Sequence, residues 1–133
     1  LISKNTPNNI IGVDIVESAI KNAIKNAKKN QLQNLKFISS DVCKFLLNHP
    51  EYQNKIHSVV IDPPRAGISP KSLRKVIRLN AKVIVYVSCN PSTQARDLVT
   101  LNEMGYQLKK FSLVDQFPHT SHIESIMLFE KNQ

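Results

Sequence analysis

Long apolar runs are missing from this sequence of 133 residues. No stretch approaches the ~20 apolar residues that a membrane-spanning helix needs, and no signal peptide is visible, so we expect no membrane partner. Cysteine is scarce too, since Cys43 and Cys89 are the only two and they lack CxxC spacing. Such a pair does not indicate a disulfide framework, and we expect a cytoplasmic protein in a reducing setting.

Glycine is also rare, and its three positions lie far apart. Gly12, Gly67 and Gly105 form neither a GxGxxG nor a GxxxxGK[ST] loop. Because those loops present backbone N–H groups to phosphates, a dinucleotide or triphosphate site has no local support in this sequence.

Acidic residues are outnumbered by basic ones. The chain carries 18 Lys and Arg residues against 10 Asp and Glu residues, which gives a formal net charge of +8. Such an excess favours polyanionic partners, nucleic acid first. The charge alone is equally compatible with a basic surface that has no such partner.

What the sequence does have is a regular alternation of strand and helix patterns. Strands are predicted near residues 9–14, 35–38, 57–62, 82–87, 106–114 and 125–129, with a helix after each of the first four. The inward face of the first helix is predicted to carry Ala19, Ile20, Ala23, Ile24 and Ala27. The pattern predicts one α/β domain with a mostly parallel sheet and an antiparallel hairpin at its C-terminal edge.

The run 86–91, Tyr-Val-Ser-Cys-Asn-Pro, is the most informative part of the chain. Residues 82–87 are almost all β-branched or aromatic, which is typical of a strand buried on both faces of a parallel sheet. Asn90 can cap the next helix, and Pro91 can begin it. Cys89 then lies at the carboxyl end of a central strand, where ligands bind in open α/β sheets. The position alone is also compatible with a small buried hydrophobic residue.

Three acidic residues follow three predicted strands. Asp14, Asp41 and Asp62 would line one edge of a parallel sheet, where carboxylates accept hydrogen bonds from ribose hydroxyls or an adenine amino group. Each could instead cap the helix that follows it. Asp62 also opens the run 62–67, Asp-Pro-Pro-Arg-Ala-Gly, whose prolines either orient Asp62 and Arg65 or simply form a rigid turn.

Taken together, these motifs resemble the catalytic domain of S-adenosylmethionine-dependent RNA uracil-5-methyltransferases. The nearest likeness is to the bacterial 23S ribosomal RNA branch, with the transfer RNA uracil-54 enzymes as cousins. The matching runs are 12–14 (Gly-Val-Asp), 62–67, 86–91, 95–98 (Ala-Arg-Asp-Leu), 105–106 (Gly-Tyr) and 115–124, which contains Phe-Pro-His-Thr. The likeness covers nearly the whole chain and implies a Rossmann-like class I methyltransferase fold.

The resemblance implies roles for five residues. Cys89 matches the nucleophile that attacks carbon 6 of the target uracil, and Glu124 matches the base that removes the carbon-5 proton. Asp14 matches the residue that binds the cofactor ribose, Asp41 lies where the family contacts adenine, and Asp62 lies near the cofactor end closest to the target base. The implied cofactor is S-adenosyl-L-methionine, and the implied partner is RNA, with ribosomal RNA favoured over transfer RNA.

In the family, further elements lie upstream of the part that this sequence matches. They are the first strand of the sheet with its glycine-rich loop, an RNA-binding barrel and, in many ribosomal RNA members, a cysteine cluster for an iron–sulfur centre. We therefore expect residues 1–133 to be the C-terminal part of a catalytic domain, with an unpaired gap where the first strand would pair. Alone, this part should bind the cofactor poorly.

Two alternatives stand beside this interpretation. The strand end at 62–64 is similar to that of amino-directed nucleic-acid methyltransferases, in which Cys89 would be dispensable. The charge of +8 is also compatible with a catalytically silent RNA-binding module. His119 and His122 have HxxH spacing, but without a third His or a matching Cys we expect no metal site.

Overall fold

Strands and helices alternate through the first four strands of the computed structural model, which describes residues 8–115 and 123–132. In chain order the elements are β1 (Ile10–Asp14), α1 (Glu17–Lys29), β2 (Leu35–Ser39), α2 (Val42–Asn48), β3 (Ser58–Ile61), α3 (Pro70–Ile77), β4 (Val83–Ser88), α4 (Pro91–Glu103), β5 (Tyr106–Asp115) and β6 (Ile123–Lys131). One turn of 3-10 helix, Pro50–Tyr52, precedes β3. The chain divides into two compact units, residues 1–49 and 50–133.

The first unit contains a pair of parallel strands and the two helices that follow them. β1 and β2 pair along all five of their residues. On α1, Ile20 and Ala27 are buried, whereas Ile24 is 38% exposed. The prediction of a fully inward apolar face is therefore wrong at Ile24 and at Ala19, which is also exposed, because a sheet of two strands is too narrow to cover the whole face.

The second unit contains a sheet in the order β3-β4-β6-β5. β3 and β4 are parallel, and β6 runs antiparallel between β4 and β5. The α/β class and the closing antiparallel hairpin are thus confirmed. Among the described residues the pairings divide evenly, since β1–β2 and β3–β4 are parallel while β4–β6 and β5–β6 are antiparallel.

Burial along β4 alternates, contrary to the expectation that both faces would be buried. Ile84, Tyr86 and Ser88 are buried, and the valines between them are partly exposed. The buried face is the one that packs on α4, as a hydrogen bond from the Tyr86 hydroxyl to Asp97 shows. β4 therefore lies between two other strands, β3 and β6, but only one of its faces is fully covered.

The core of the second unit lies between this sheet and its helices. Leu73, Val76 and Ile77 of α3 are buried, together with Leu101 of α4 and Phe129 of β6. Each such side chain stabilises the fold by roughly 1.5–3 kcal/mol relative to an exposed position. In the described ranges, no helix has both the length and the apolar character to cross a membrane.

Candidate active site

Cys89 lies in the short connection between β4 and α4, as predicted. Asn90 caps α4 by accepting a hydrogen bond from the Ser92 backbone N–H at 3.2 Å, and Pro91 occupies the first turn. The Ser88 hydroxyl accepts from the Asn90 N–H and donates to the Asn90 carbonyl, both at 3.0 Å. The backbone on both sides of Cys89 is therefore fixed, while its half-buried side chain keeps access to solvent.

The loop 62–67 is attached directly to the Cys89 connection. The Asn90 side-chain amide donates to the Arg65 carbonyl at 3.1 Å. Within the loop, the Gly67 N–H donates to the Pro64 carbonyl at 2.8 Å, and Gly67 has a φ of +83°, which L residues rarely adopt. A Cβ at Gly67 would come within 3.0 Å of Thr93 in α4, so this turn needs glycine in order to approach the helix.

Glu124 reaches the same end of the sheet from a different strand. β4 and β6 are antiparallel, and their last pair places Ser88 opposite Ser125. Cys89 directly follows Ser88 and Glu124 directly precedes Ser125, so both residues lie at the same end of this strand pair. Glu124 is half-buried and pairs on its other side with Val114 of β5. The structure therefore brings Cys89 and Glu124 together.

Asp62 is the first residue after β3 and is exposed. Because β3 is parallel to β4, with Ile61 opposite Tyr86, Asp62 lies at the same carboxyl edge as Cys89. This second unit thus gathers three of the five predicted site residues at one end of its sheet.

Asp14 and Asp41 belong to the first unit and lie at one end of its two parallel strands. Asp14 ends β1, and its Oδ1 accepts from the Val16 N–H at 2.8 Å. Asp41 is the N-cap of α2, and its Oδ1 accepts from the Lys44 N–H at 3.0 Å. Both residues are exposed, so each has a local structural role and further lone pairs for a ligand.

A polar network that the sequence patterns did not reveal connects β4 to α4 through the buried Asp97. The Tyr86 hydroxyl donates to Asp97 Oδ2 at 2.7 Å, and Arg96 Nε donates to Asp97 Oδ1 at 3.1 Å. Arg96 also donates to the Ile68 carbonyl at 3.2 Å, which attaches α4 to the chain beyond the 62–67 loop. Burial raises the pKa of Tyr86 above its ordinary value, and the hydrogen bond to Asp97 raises it further.

A second buried pair, Gln94 and Ser125, links α4 to β6. The Ser125 hydroxyl donates to the Gln94 side-chain carbonyl. The Gln94 amide donates to the Tyr86 backbone carbonyl at 2.9 Å and to the Ser125 carbonyl at 3.5 Å. These residues are 31 positions apart in sequence, and neither belongs to a local pattern that would have identified the contact.

The described part of the chain contains no group of three or more His, Cys, Asp or Glu residues that could hold a metal ion. His119 and His122, which have HxxH spacing, lie outside the described residues.

Comparison with known proteins connects these features to a family. The model of the tRNA (uracil-5-)-methyltransferase family matches residues 2–132. The chain belongs to this family. The 23S rRNA (uracil(1939)-C(5))-methyltransferase RlmD of Acinetobacter baylyi is 44% identical to it over 124 residues, which are 93% of this chain and 27% of that protein.

Solved structures agree with this assignment. Pyrococcus abyssi tRNA (uracil-54, C5)-methyltransferase, solved in complex with S-adenosyl-L-homocysteine, aligns with a TM-score of 0.80 and 32% identity, covering 96% of this chain and 30% of that one. A Streptococcus pneumoniae protein solved with S-adenosyl-L-methionine shares the fold at a TM-score of 0.75 and 16% identity, covering 100% of this chain and 59% of that one. The Rossmann-like methyltransferase fold is thus confirmed. This member of the uracil-5-methyltransferase family spans about a quarter of the length of the curated relatives that it matches.

Proposed function

We propose that this chain carries catalytic residues of an enzyme that transfers a methyl group from S-adenosyl-L-methionine to carbon 5 of a uridine in RNA. The observation that carries the proposal is the placement of Cys89 and Glu124 at the end of two adjacent antiparallel strands. A covalent mechanism needs a nucleophile and a base that act on the same target ring, and the location of both residues at one end of neighbouring strands supports these roles.

Cys89 would begin the reaction. Its thiolate adds to carbon 6 of uracil, and the electron pair of the carbon 5–carbon 6 bond moves onto carbon 5 and the neighbouring carbonyl. Carbon 5 thereby becomes nucleophilic enough to accept a methyl group, so that one difficult step is divided into two easier ones. When bound, S-adenosyl-L-methionine supplies this methyl group from its sulfonium and leaves as a neutral thioether.

Glu124 would complete the reaction. After methylation, carbon 5 carries both the new methyl group and its original proton. Removal of that proton by the Glu124 carboxylate restores the double bond and expels the Cys89 thiolate, and loss of the proton from Glu124 to solvent then returns the enzyme to its starting state. The half-buried position of Glu124 beside the Cys89 connection supports this role.

The acidic residues of the first unit suit a nucleoside. We propose that Asp14 binds the ribose hydroxyls and that Asp41 contacts the adenine of the cofactor. Both are exposed carboxylates at the end of parallel strands, and each has lone pairs beyond the one that its backbone hydrogen bond uses. For Asp62 we propose a place near the cofactor end that faces the target base.

Ribosomal RNA is the substrate that we favour, since the Acinetobacter baylyi relative with 44% identity is named for 23S rRNA. Transfer RNA is the alternative, since the Pyrococcus abyssi relative with 32% identity is named for it. We also propose that the activity requires protein beyond residues 1–133, because the matched relatives are about four times as long as this chain. The two cysteines without CxxC spacing favour a reducing, cytoplasmic setting, which we propose as the location.

The test is covalent trapping with RNA that contains 5-fluorouridine. Fluorine at carbon 5 cannot be removed as a proton, so the adduct to Cys89 should persist on a denaturing gel and in the intact mass. The complete protein that carries this sequence should form the adduct in the presence of S-adenosyl-L-methionine. The Cys89→Ser variant should form none, and Cys43→Ser, which changes the other cysteine of the chain, should behave as the wild type.

Two other functions predict different results. An amino-directed methyltransferase that uses the strand end at 62–64 would methylate RNA normally after Cys89→Ala and would form no adduct. A silent RNA-binding module would bind RNA without transferring a methyl group. Absence of the adduct in a wild-type protein that binds the cofactor would refute the covalent mechanism.

A further inference from the structure

Gln94 and Ser125 form a fully buried polar link at the base of the proposed site. Both residues are 0% exposed. Gln94 accepts from the Ser125 hydroxyl and donates its amide protons to two backbone carbonyls, those of Tyr86 at 2.9 Å and Ser125 at 3.5 Å. Each side chain therefore depends on the other for a partner that water cannot supply.

A purely structural role does not require these residue types. Replacing both partners of a buried hydrogen bond by apolar groups of the same shape is often nearly neutral for stability, whereas an unsatisfied partner is costly. An apolar residue at position 94 would fill the same space in α4, but it would not connect the helix to β4 and β6 at once. The polar pair provides a fixed geometry between three elements.

The link between Gln94 and Ser125 lies close in sequence to both proposed catalytic residues. The Tyr86 carbonyl lies three residues before Cys89, and Ser125 is the residue after Glu124. The Gln94 side chain thus joins the last part of the strand that leads to the nucleophile with the first part of the strand that holds the base.

We propose that Gln94 and Ser125 are positioning residues that set the alignment of Glu124 on the target uracil, an inference that rests on the proposed function. Cys89 has its own supports, because Ser88 and Asn90 fix the backbone around it and Asn90 holds the 62–67 loop. The residue before Glu124, Ile123, is exposed, and the residue after it, Ser125, is fully buried and is its nearest anchor in the core. Loss of the link should therefore affect proton removal more than nucleophilic addition.

This division predicts a specific kinetic signature. If addition and methyl transfer proceed while proton removal is slow, the Cys89 thiolate cannot leave, and methylated RNA stays covalently attached to the protein. The attached species carries both the methyl group and the original proton on carbon 5. It should accumulate with ordinary uridine RNA, for which the wild-type enzyme releases its product.

The experiment uses the complete protein in single-turnover reactions with S-adenosyl-L-methionine and uridine RNA, quenched into denaturant. Ser125→Ala removes only the hydroxyl, and Gln94→Met removes the whole link at nearly constant volume. We expect both variants to release methylated RNA roughly 10- to 100-fold more slowly, with Kd for RNA within about twofold of wild type. The covalent protein–RNA fraction should rise toward that of Glu124→Gln, in which the base itself is lost.

Tyr106→Phe is the matched control, because Tyr106 is also 0% exposed and donates a buried hydrogen bond to the Ala81 carbonyl in the same unit. It should behave as the wild type in these reactions. Release and adduct levels in Ser125→Ala and Gln94→Met that match this control would overturn the inference, as would slower turnover without the adduct. If the wild-type protein forms no adduct with 5-fluorouridine RNA, the proposed function itself has failed, and this inference fails with it.

Discussion

The bond between Tyr86 and Asp97 gives a quantitative test of the fold beneath the site. Tyr86→Phe removes the hydroxyl that donates to Asp97 Oδ2 at 2.7 Å and leaves the ring in place. Asp97 is only 2% exposed, so water cannot replace the lost donor. It keeps its bond from Arg96, but that side chain is 52% exposed and its contribution is weakened by solvent.

The expected loss follows from the charge of the acceptor. Buried hydrogen bonds to charged groups contribute about 1.5–3 kcal/mol to stability, and neutral ones contribute about 1 kcal/mol. We therefore expect Tyr86→Phe to lower the free energy of unfolding by about 2 kcal/mol. Tyr106→Phe, which loses a bond to the neutral Ala81 carbonyl, should cost about 1 kcal/mol.

Urea unfolding followed by tyrosine fluorescence suits this comparison. The sequence has three tyrosines and no tryptophan, and all three tyrosines lie in residues 50–133, so the signal reports on that unit. In each variant two tyrosines remain as probes. Equal losses in Tyr86→Phe and Tyr106→Phe would refute the argument that the charge of Asp97 decides the difference.

The same tyrosines predict a loss of stability at high pH. Burial and the Asp97 bond raise the pKa of Tyr86 above the ordinary value of 10.0, and burial raises that of Tyr106. Below pH 10 the folded and unfolded states are both protonated, and the stabilisation is complete. As the pH rises past this value, only the unfolded state releases its proton, so stability should fall by about 1.4 kcal/mol per pH unit for each tyrosine. Tyr86→Phe should make this decline shallower, and an unchanged slope would contradict the assignment.

Substitutions at two further positions test local features of the chain. Asp41→Ala should lower stability by about 1 kcal/mol, because α2 loses its cap. Asp41→Ser should restore stability but not the affinity for S-adenosyl-L-methionine, measured by calorimetric titration of the complete protein. Full recovery of both stability and affinity would leave Asp41 with a capping role alone. Gly105→Ala should lower the melting temperature through backbone strain alone, at a cost of about 1–2 kcal/mol, because Gly105 has a φ of +91° and a Cβ there would meet nothing within 4 Å. Gly105→Asn should cost less stability than Gly105→Ala. An unchanged melting temperature in Gly105→Ala would contradict the strain argument.

Local patterns were sufficient for the features that depend on neighbouring residues. The cap at Asn90, the helix start at Pro91 and the position of Cys89 between strand and helix all follow from a few adjacent positions. Patterns failed where burial depends on distant elements. The exposure of Ile24 and the one-sided burial of β4 depend on which surfaces pack against them. The Gln94–Ser125 contact could not be predicted, because a glutamine on a helix and a serine in a strand are ordinary exposed residues until the tertiary fold brings them together.

The direction of β6 is what allows the proposed covalent site at this edge of the sheet. In a parallel sheet, the carboxyl ends of all strands share one edge, and the first residues of each strand lie at the opposite edge. Glu124 is the second residue of β6, so a parallel β6 would place it a full strand length from Cys89. Because β6 instead runs antiparallel between β4 and β5, its beginning lies beside the end of β4, with Ser125 opposite Ser88. A reversal of one strand thus joins two residues 35 positions apart, from 89 to 124, and the proposed nucleophile and base depend on it.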